Sequence, residues 1–289
     1  MSASTYYTLT DLEGRVAEQL ANPPEGIRIP AWPGLHDLVG GWRMHELTLL
    51  PSGTGTGKTT LLANLASHLN ALTVGCYIAS VEIGAVAFLL SMLSVLSGRN
   101  LTLGEKYSPE VVEEVRRHWL PMFRNARLLF SRHDDRVSPE VLCQEIEEAH
   151  TKYGVRFVIL DNLQFFSQVV EQERERAEQD RVIREFVRLV KKLPIHVFLI
   201  VHTRKTNNDN QRVESLADMK GSKTLADEAW NVIALNKPKT EDLENNRSLP
   251  SDREILALKL RFRGQNVGRS VRFVFKNGRY IDQSREVRL

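Results

Sequence analysis

The chain has 289 residues, of which 42% are hydrophobic and 26% are charged, and its formal net charge is +3. This composition is typical of a folded globular protein with a large core, and it excludes an intrinsically disordered chain. A net charge this close to zero does not by itself indicate nucleic-acid binding, so any such site must lie in a locally basic segment.

The N-terminal segment predicts a short amphipathic helix followed by a linker. Apolar residues recur at helical spacing at Leu9, Leu12, Val16 and Leu20. Thr10 and Glu13 are expected to form the capping box of this helix, and Pro23 and Pro24 are expected to stop it. Residues 22–34 are rich in proline and glycine, which favours a linker with little regular structure. The predicted organisation is therefore a linker helix in residues 1–26 and one α/β domain in residues 27–289.

Alternating apolar runs and helix-length segments predict an α/β fold. Strand-like runs lie at residues 47–50, 74–79, 127–130, 157–160 and 197–201. Such alternation is typical of βαβ crossovers and of a mostly parallel sheet with helices on both faces. The last third predicts a β-rich end with hairpins instead, because strand-like runs at 230–235, 255–260, 271–275 and 279–281 are separated by short turns.

Membrane insertion and a cysteine-based site are not indicated. The longest strongly apolar stretch, residues 85–96, is interrupted by serines and is shorter than the about 20 residues that cross a bilayer. It predicts a buried helix. Cys76 and Cys143 are far apart and lack a CxxC partner, so we expect both to be small buried apolar residues rather than disulfide or zinc ligands.

The segment at residues 46–69, ELTLLPSGTGTGKTTLLANLASHL, predicts a phosphate-binding loop between a strand and a helix. Its glycines let backbone N–H groups turn toward phosphate oxygens, and the helix N-terminus adds positive potential. Lys58 would reach the β and γ phosphates of ATP, and the Thr59 hydroxyl would bind Mg²⁺. The predicted ATP-binding residues are Ser52, Gly53, Thr54, Gly55, Thr56, Gly57, Lys58, Thr59 and Thr60. A glycine-rich turn without a ligand is the alternative, and Ser52 departs from the strict pattern, which has glycine there.

Three polar residues follow predicted strands of the same sheet. Asp161 comes directly after the run 157–160, as expected of a carboxylate that holds Mg²⁺. Glu82 follows the run 74–79, where it could orient and deprotonate an attacking water. His202 ends the run 197–201 and is a candidate sensor of the γ phosphate. The competing interpretations are a turn cap for Asp161, a solvated loop carboxylate for Glu82 and a structural histidine for His202.

In this order the motifs resemble those of the hexameric replicative DNA helicases, which include bacterial DnaB, the phage primase-helicases and, with the greatest likeness, the Twinkle helicase. The resemblance spans residues 34–282. It rests on GL..LVGG followed by HELTLL, SGTGTGKTT, SVEIG, VILDNLQF, IVHTRK, GSKTLADEAWNVIAL and KLRFRG. It implies a RecA-like P-loop NTPase core. His45 stands where the family usually has glycine, and we expect only a local effect of this difference.

The resemblance also implies roles for matching residues. Lys58, Thr59, Glu82 and Asp161 would be the P-loop lysine, a Mg²⁺ ligand, the catalytic base and the Walker B aspartate, and His202 the γ-phosphate sensor. Arg261 resembles the arginine finger that reaches the nucleotide of a neighbouring subunit, and Lys259 resembles a second such cation. The N-terminal helix would grip the adjacent subunit.

The resemblance further implies that two loops contact single-stranded DNA. The first lies at about residues 168–180, and the second runs from His202 to about Lys223. The predicted contacts are Arg204, Lys205, Asn207, Asn208, Asn210, Lys220 and Lys223, whose side chains suit phosphate groups. Mobile surface loops without a ligand are the alternative. Phe165 and Phe166 could stack on bases, although packing against the sheet is favoured.

The predicted function is an ATP-driven, Mg²⁺-dependent replicative DNA helicase, forming a homo-oligomeric ring that moves on single-stranded DNA. The resemblance implies that it moves in the 5′ to 3′ direction. Primase or polymerase is a further expected partner, and no membrane is expected. The alternatives are a RecA/RadA-like recombination or circadian-type ATPase, and a nucleotide-dependent loader without motor activity. No basic, Ser-rich transit peptide is visible, which favours a bacterial or phage-infected cytoplasm, while a trimmed mitochondrial protein stays open.

Overall fold

A computed structural model describes residues 7–23, 25–101, 104–124, 127–133, 135–166, 172–203, 212–220, 223–245 and 247–285. The strands in these ranges are β1 Glu46–Ser52, β2 Gly75–Ser80, β3 Leu128–Phe130, β4 Val155–Asp161, β5 His196–His202, β6 Asn231–Asn236, β7 Arg253–Leu260, β8 Ser270–Lys276 and β9 Arg279–Asp282. The α-helices are α1 Leu9–Ala21, α2 Pro33–Val39, α3 Lys58–Ala71, α4 Gly84–Ser97, α5 Pro109–Glu114, α6 Pro139–Tyr153, α7 Gln172–Lys192, α8 Lys223–Glu228 and α9 Thr240–Glu244. The predicted strands match the observed ones to within two residues at each end.

The described strands form a single mixed sheet in the order β3-β2-β4-β5-β1-β6-β7-β8-β9. The first six strands in this order, from β3 at the edge to β6, run parallel, because βαβ crossovers connect them. Strands β7, β8 and β9 add to the β6 edge as antiparallel strands joined by short connections. The prediction of a mostly parallel α/β sheet with a β-rich C-terminal end is confirmed.

Helices cover both faces of the parallel strands. On β4, Phe157 and Ile159 face one apolar layer, which holds residues of α3 and α4. Val158 and Leu160 of the same strand face the other layer, which holds residues of α6 and α7. Strands buried on both sides read as continuous apolar runs, which is why the sequence pattern located them. Helix α4 packs in the first layer, as predicted for residues 85–96, and no described helix is long and apolar enough to cross a membrane.

The N-terminal helix α1 carries an apolar stripe that no other described residue covers. None of its residues is buried, and Leu9 and Leu20 are 77% and 79% exposed. The predicted capping box is wrong by two residues, because the helix begins at Leu9 and Thr10 therefore lies inside it. Thr8 is the N-cap, and the Asp11 carboxylate accepts from its backbone N–H at 2.7 Å. The helix ends at Ala21, before Pro23, as expected.

A buried polar chain joins the central strands near their amino ends. His196 of β5 donates from Nδ1 to the Arg43 carbonyl at 2.7 Å, so its unprotonated Nε2 can accept from the Thr48 hydroxyl at 3.0 Å. The Asn231 amide donates to the same hydroxyl oxygen at 3.2 Å and to Glu46 at 3.0 Å. Burial lowers the pKa of His196 to about 4, so the ring is neutral at physiological pH.

We expect the neutral His196 to make unfolding pH-dependent. Its folded pKa of about 4 lies below the ordinary 6.5, so its stabilising effect is present above pH 6.5 and is lost as the pH falls toward 4. The difference in unfolding free energy between the wild type and His196→Gln should therefore shrink by about 3 kcal/mol between about pH 8 and about pH 4. Urea unfolding at both pH values measures it. The exposed His118→Gln is the control, and a pH-independent difference for His196→Gln would contradict the assignment.

Candidate functional site

The carboxyl ends of four neighbouring strands bring the predicted site residues together. Strands β2, β4, β5 and β1 are adjacent and parallel, so side chains that follow them meet at one edge of the sheet. Ser52 of β1 is level with His202 of β5, and Ser80 of β2 is level with Asp161 of β4. Lys58, Thr59 and Glu82 follow β1 and β2 at this edge.

The loop between β1 and α3 has the backbone form of a phosphate cradle. Gly55 and Gly57 have φ angles of 69° and 87°, in the left-handed region that favours glycine. The Thr56 hydroxyl donates to the Gly53 carbonyl at 2.8 Å and holds the turn closed. Helix α3 starts at Lys58 and has no acidic residue in its first turn, so the positive end of its dipole faces the cradle.

Ser52 is accommodated although the strict motif has glycine at this position. It is the last residue of β1, its backbone does not need the left-handed region, and its hydroxyl donates to the Leu235 carbonyl at 2.9 Å. The side chain is therefore buried with a hydrogen bond, and its hydroxyl also hydrogen-bonds with the Thr56 hydroxyl of the loop. His45, the other departure from the family pattern, has a φ of 64° and donates from Nδ1 to the Val190 carbonyl at 2.9 Å. That this difference has only a local effect stays a prediction.

Lys58 folds back over the loop. Its Nζ donates to the Gly53 carbonyl at 2.8 Å and lies 3.5 Å from the Ser52 carbonyl. Burial lowers the pKa of this ammonium, and the charges of Glu82 and Asp161 partly oppose the shift. Phosphate oxygens bind an ammonium more strongly than carbonyl oxygens do, so a polyphosphate would draw Lys58 away from these carbonyls.

Asp161 is a buried carboxylate with one free oxygen. Its Oδ2 accepts from the Thr59 hydroxyl at 3.1 Å and from the Ser80 hydroxyl at 3.3 Å. Its Oδ1 is buried and has no hydrogen-bond partner among the residues that the structure describes. Burial, and next the charge of Glu82, raise the pKa of Asp161 to about 6. A free carboxylate oxygen beside a hydroxyl matches the oxygen ligands that Mg²⁺ prefers, so this pair fits the ion.

Asn162 connects Glu82 with His202, and the sequence analysis missed it. One amide hydrogen is donated to Glu82 Oε2 at 2.6 Å and the other to His202 Nε2 at 2.9 Å. The distance between Glu82 Oε2 and His202 Nε2 themselves is 4.0 Å. Burial, and next the charge of Lys58, lower the pKa of His202, which leaves Nε2 unprotonated and able to accept. The available signal was the position of Asn162, directly after Asp161 at a strand end.

The second predicted DNA loop is attached to the site at its base. Thr203 pairs with Met219, and the Lys220 N–H donates to the His202 carbonyl at 2.8 Å. Further along, the buried Asn236 amide exchanges two hydrogen bonds with the backbone of Val213, at 2.8 and 2.9 Å. The predicted contacts Arg204, Lys205, Asn207, Asn208 and Asn210 lie outside the described residues, as does the side chain of Lys223.

The first predicted DNA loop is shorter than expected. Residues 172–180 are helical, because α7 begins at Gln172, so the predicted loop at 168–180 is wrong over most of its length. The strongly polar start of this helix hid its amphipathic pattern, which becomes clear only after residue 181. Phe166 is fully buried, with its ring centroid 6.0 Å from that of Phe186, so it packs in the core as favoured, whereas the side chain of Phe165 lies outside the described part.

Lys259 and Arg261 lie at the opposite end of the sheet. The Arg261 N–H donates to the Trp230 carbonyl at the amino end of β6, whereas the P-loop starts at the level of Leu235. At about 3.3 Å per strand residue the two levels are about 16 Å apart, which is more than an arginine side chain spans. Lys259 donates to the Ala226 carbonyl at 2.7 Å, and the Arg261 guanidinium lies 4.9 Å from the Trp230 ring centroid.

Comparison with known proteins identifies the family. The sequence model of a family described as "AAA domain" matches residues 30–208, more than half of the chain. The chain belongs to this family. Membership supports nucleotide binding and ATP hydrolysis by this chain.

Two solved structures have a similar fold. The ATPase domain of G40P superposes with a TM-score of 0.73 at 14% sequence identity, over 96% of this chain and 99% of that one. A structure of a DnaB-like replicative helicase and its interactions with primase has a TM-score of 0.74 at 14% identity, over 96% of this chain and 67% of that one. The expected RecA-like fold is therefore confirmed. The greater likeness to Twinkle stays a prediction.

The contact of Asn162 with Glu82 and His202 leads to a kinetic prediction. Asn162→Ala should lower kcat for ATP hydrolysis roughly 10- to 100-fold, because the Glu82 carboxylate loses its only described hydrogen bond. The expected loss is smaller than that of removing a general base, since Glu82 itself stays in place. Binding of ADP should change little, since Asn162 does not touch the P-loop in the described contacts. Steady-state turnover and ADP titration measure the two effects.

The exposed Asn100→Ala serves as the matched control and should behave as the wild type. A variant that loses ADP affinity and turnover in equal proportion would show that Asn162 supports the fold rather than Glu82.

Proposed function

We propose that this chain is the ATP-driven motor of a replicative DNA helicase, assembled as a ring in which each nucleotide site lies between two subunits. One observation carries the proposal: the residues for binding and water activation meet at the carboxyl edge of the sheet, whereas the cations Lys259 and Arg261 lie about 16 Å away at the other end. The fold likeness to the ATPase domains of G40P and a DnaB-like helicase supports the choice of helicase.

The residues of one subunit bind ATP and prepare the attacking water. Backbone N–H groups of the cradle and Lys58 hold the β and γ phosphates. The Thr59 hydroxyl and Asp161 carboxylate would hold Mg²⁺, which neutralises phosphate charge when bound. Glu82, with a side chain 42% exposed and fixed by Asn162, accepts a proton from the water that attacks the γ phosphorus.

The neighbouring subunit completes the site with Arg261 and Lys259. Both side chains reach toward the end of α8, where Lys259 lies 2.7 Å from the Ala226 carbonyl and 2.9 Å from the Asp227 carbonyl. The Trp230 ring supports the Arg261 guanidinium by a cation–π contact. An arginine supplied in trans raises NTPase rates by about 10³ to 10⁵.

His202 transmits the state of the γ phosphate to the DNA loop. It touches Asn162 on the site side, and its backbone carbonyl holds Lys220 at the base of the loop. A change of contact at His202 on hydrolysis therefore shifts the loop, whose basic and amide side chains hold DNA phosphates without sequence preference. This step moves single-stranded DNA, in the 5′ to 3′ direction by family resemblance.

The exposed stripe of α1 makes the ring. Leu9, Val16 and Leu20 form an apolar stripe that is largely exposed to solvent in the single chain. Packing of this stripe against the adjacent subunit would remove its apolar area from water. Primase is proposed as a further partner, by analogy with the DnaB-like structure described with primase.

Trans catalysis is tested by ATP turnover against protein concentration, with and without single-stranded DNA. We expect turnover per chain to rise cooperatively with concentration and with DNA. Arg261→Ala should lower kcat by about 10³-fold or more while ADP affinity stays unchanged. The control is Arg269→Ala, an exposed arginine on the turn before β8.

If isolated chains hydrolyse ATP at the full rate, and neither DNA nor Arg261→Ala changes this rate, the protein is a solitary ATPase and the ring motor is contradicted. Displacement of one strand from a forked duplex separates a helicase from a RecA/RadA-like ATPase, because the latter would hydrolyse ATP on DNA without unwinding it. Forks with only a 5′ or only a 3′ tail give the direction.

A further inference from the structure

The first residue of β7, Arg253, touches the P-loop from outside. Its Nε–H donates to the Thr56 carbonyl, 197 residues away in sequence. Its NH1 group donates to the carbonyls of Pro250 at 2.8 Å and of Asp252 at 2.6 Å. The guanidinium is half-buried and is held by neutral oxygens in a fixed orientation.

The charge of Arg253 is not neutralised by the carboxylates beside it. The adjacent Asp252 carboxylate pairs with Arg272 at 2.6 Å, and the adjacent Glu254 carboxylate pairs with Arg212. Within the described ranges no ion pair joins Arg253 to an acidic side chain. A half-buried cation without a counterion raises the positive potential of the neighbouring loop.

Tyr280 of β9 completes the contact with the loop. A Cβ atom placed on Gly57 would lie 2.6 Å from the Tyr280 hydroxyl, so this hydroxyl already touches the loop backbone. The same Cβ atom would lie 3.7 Å from Arg253 Nε, so the guanidinium and the hydroxyl contact the loop at the same place. Burial raises the pKa of Tyr280 to about 12, so the hydroxyl stays neutral and brings no negative charge to the guanidinium. Arg253 and Tyr280 thus pack together on the Thr56–Gly57 peptide.

The position of Tyr280 is fixed by the helix that follows the P-loop. Asn64 of α3 accepts from the Tyr280 N–H at 2.9 Å and donates to the Gly278 carbonyl at 3.1 Å. The Trp32 indole donates to the Tyr280 carbonyl at 2.9 Å. All three backbone groups are buried, so the hydroxyl is held against Gly57 without a further ordering cost when a ligand binds.

We propose that Arg253, which contacts the loop beside Tyr280, is a positioning residue for nucleotide binding. Its hydrogen bond polarises the Thr56–Gly57 peptide, so that the Gly57 N–H becomes a stronger donor to phosphate, and its uncompensated charge attracts the diphosphate group of ADP or ATP. This deepens the proposed function but rests only on the phosphate-binding role of the loop, and neither ring assembly nor DNA binding enters it.

The test is calorimetric titration of the full chain with ADP and Mg²⁺. Arg253→Gln keeps a donor for the Thr56 carbonyl but lacks the charge, and its ADP affinity should be about tenfold lower, the effect of one charge-assisted hydrogen bond. Arg253→Lys keeps the charge and should stay within about threefold of the wild type. The exposed Arg247→Gln, on the preceding turn, is the control and should not differ from the wild type.

A salt series separates this role from a merely structural one. The gap between wild type and Arg253→Gln should shrink between about 0.05 M and about 1 M salt, because screening acts on charge and not on packing. Tyr280→Phe, which removes only the hydroxyl, should weaken ADP binding about two- to threefold, and it keeps the proposal testable if Arg253→Gln does not fold.

Three results would overturn the proposal: wild-type affinity in Arg253→Gln, an equal loss in Arg253→Lys and Arg253→Gln, or a gap that salt does not change. A wild-type chain that binds no ADP would remove this proposal and the nucleotide-binding role of the loop together. A chain that binds ADP as described but does not unwind DNA contradicts only the helicase assignment.

Discussion

The parallel register of β2, β4, β5 and β1 is the constraint on which the site depends. Level pairing of Ser80 with Asp161 and of Ser52 with His202 places four strand ends at one edge. A slip of one residue would turn each strand's side chains to the opposite face, which the apolar layers on both faces oppose. The core therefore holds the geometry of the site, and the polar residues at the edge add little to the stability that keeps them there.

Two charged groups of the site, Asp161 and Lys58, would be stabilised by a bound ligand. Asp161 has a buried oxygen without a hydrogen-bond partner in the described part of the chain. Burial also disfavours the charged forms of both side chains, since it raises the pKa of Asp161 and lowers the pKa of Lys58. These groups gain more from phosphate and a cation than from each other, so binding of nucleotide stabilises the folded chain by mass action. The fold tolerates these unfavourable groups at a strand edge because the apolar layers beneath the edge are extensive.

The sequence predicted what local pattern determines and missed what distant contacts determine. Strands buried on both faces are continuous apolar runs, and the Gly-Lys-Thr loop has a fixed spacing, so both were located correctly. The cap of α1 was misplaced because two Thr-x-x-acid spacings overlap there and only the helix start distinguishes Thr8 from Thr10. Arg253 carries no local signal at all, since its partner Thr56 lies on another strand-end loop and is brought near only by the completed sheet.

The separation of Lys58 from Arg261 within one chain has a genetic consequence. In the proposed ring, a subunit that lacks Arg261 still binds nucleotide at its own P-loop and still occupies a place, but it withholds the cation from an intact neighbour. A minority of altered copies would thus silence sites whose own sequence is normal. Loss of Arg261 is expected to behave as a dominant allele, whereas a chain unable to fold or to join the ring would be recessive.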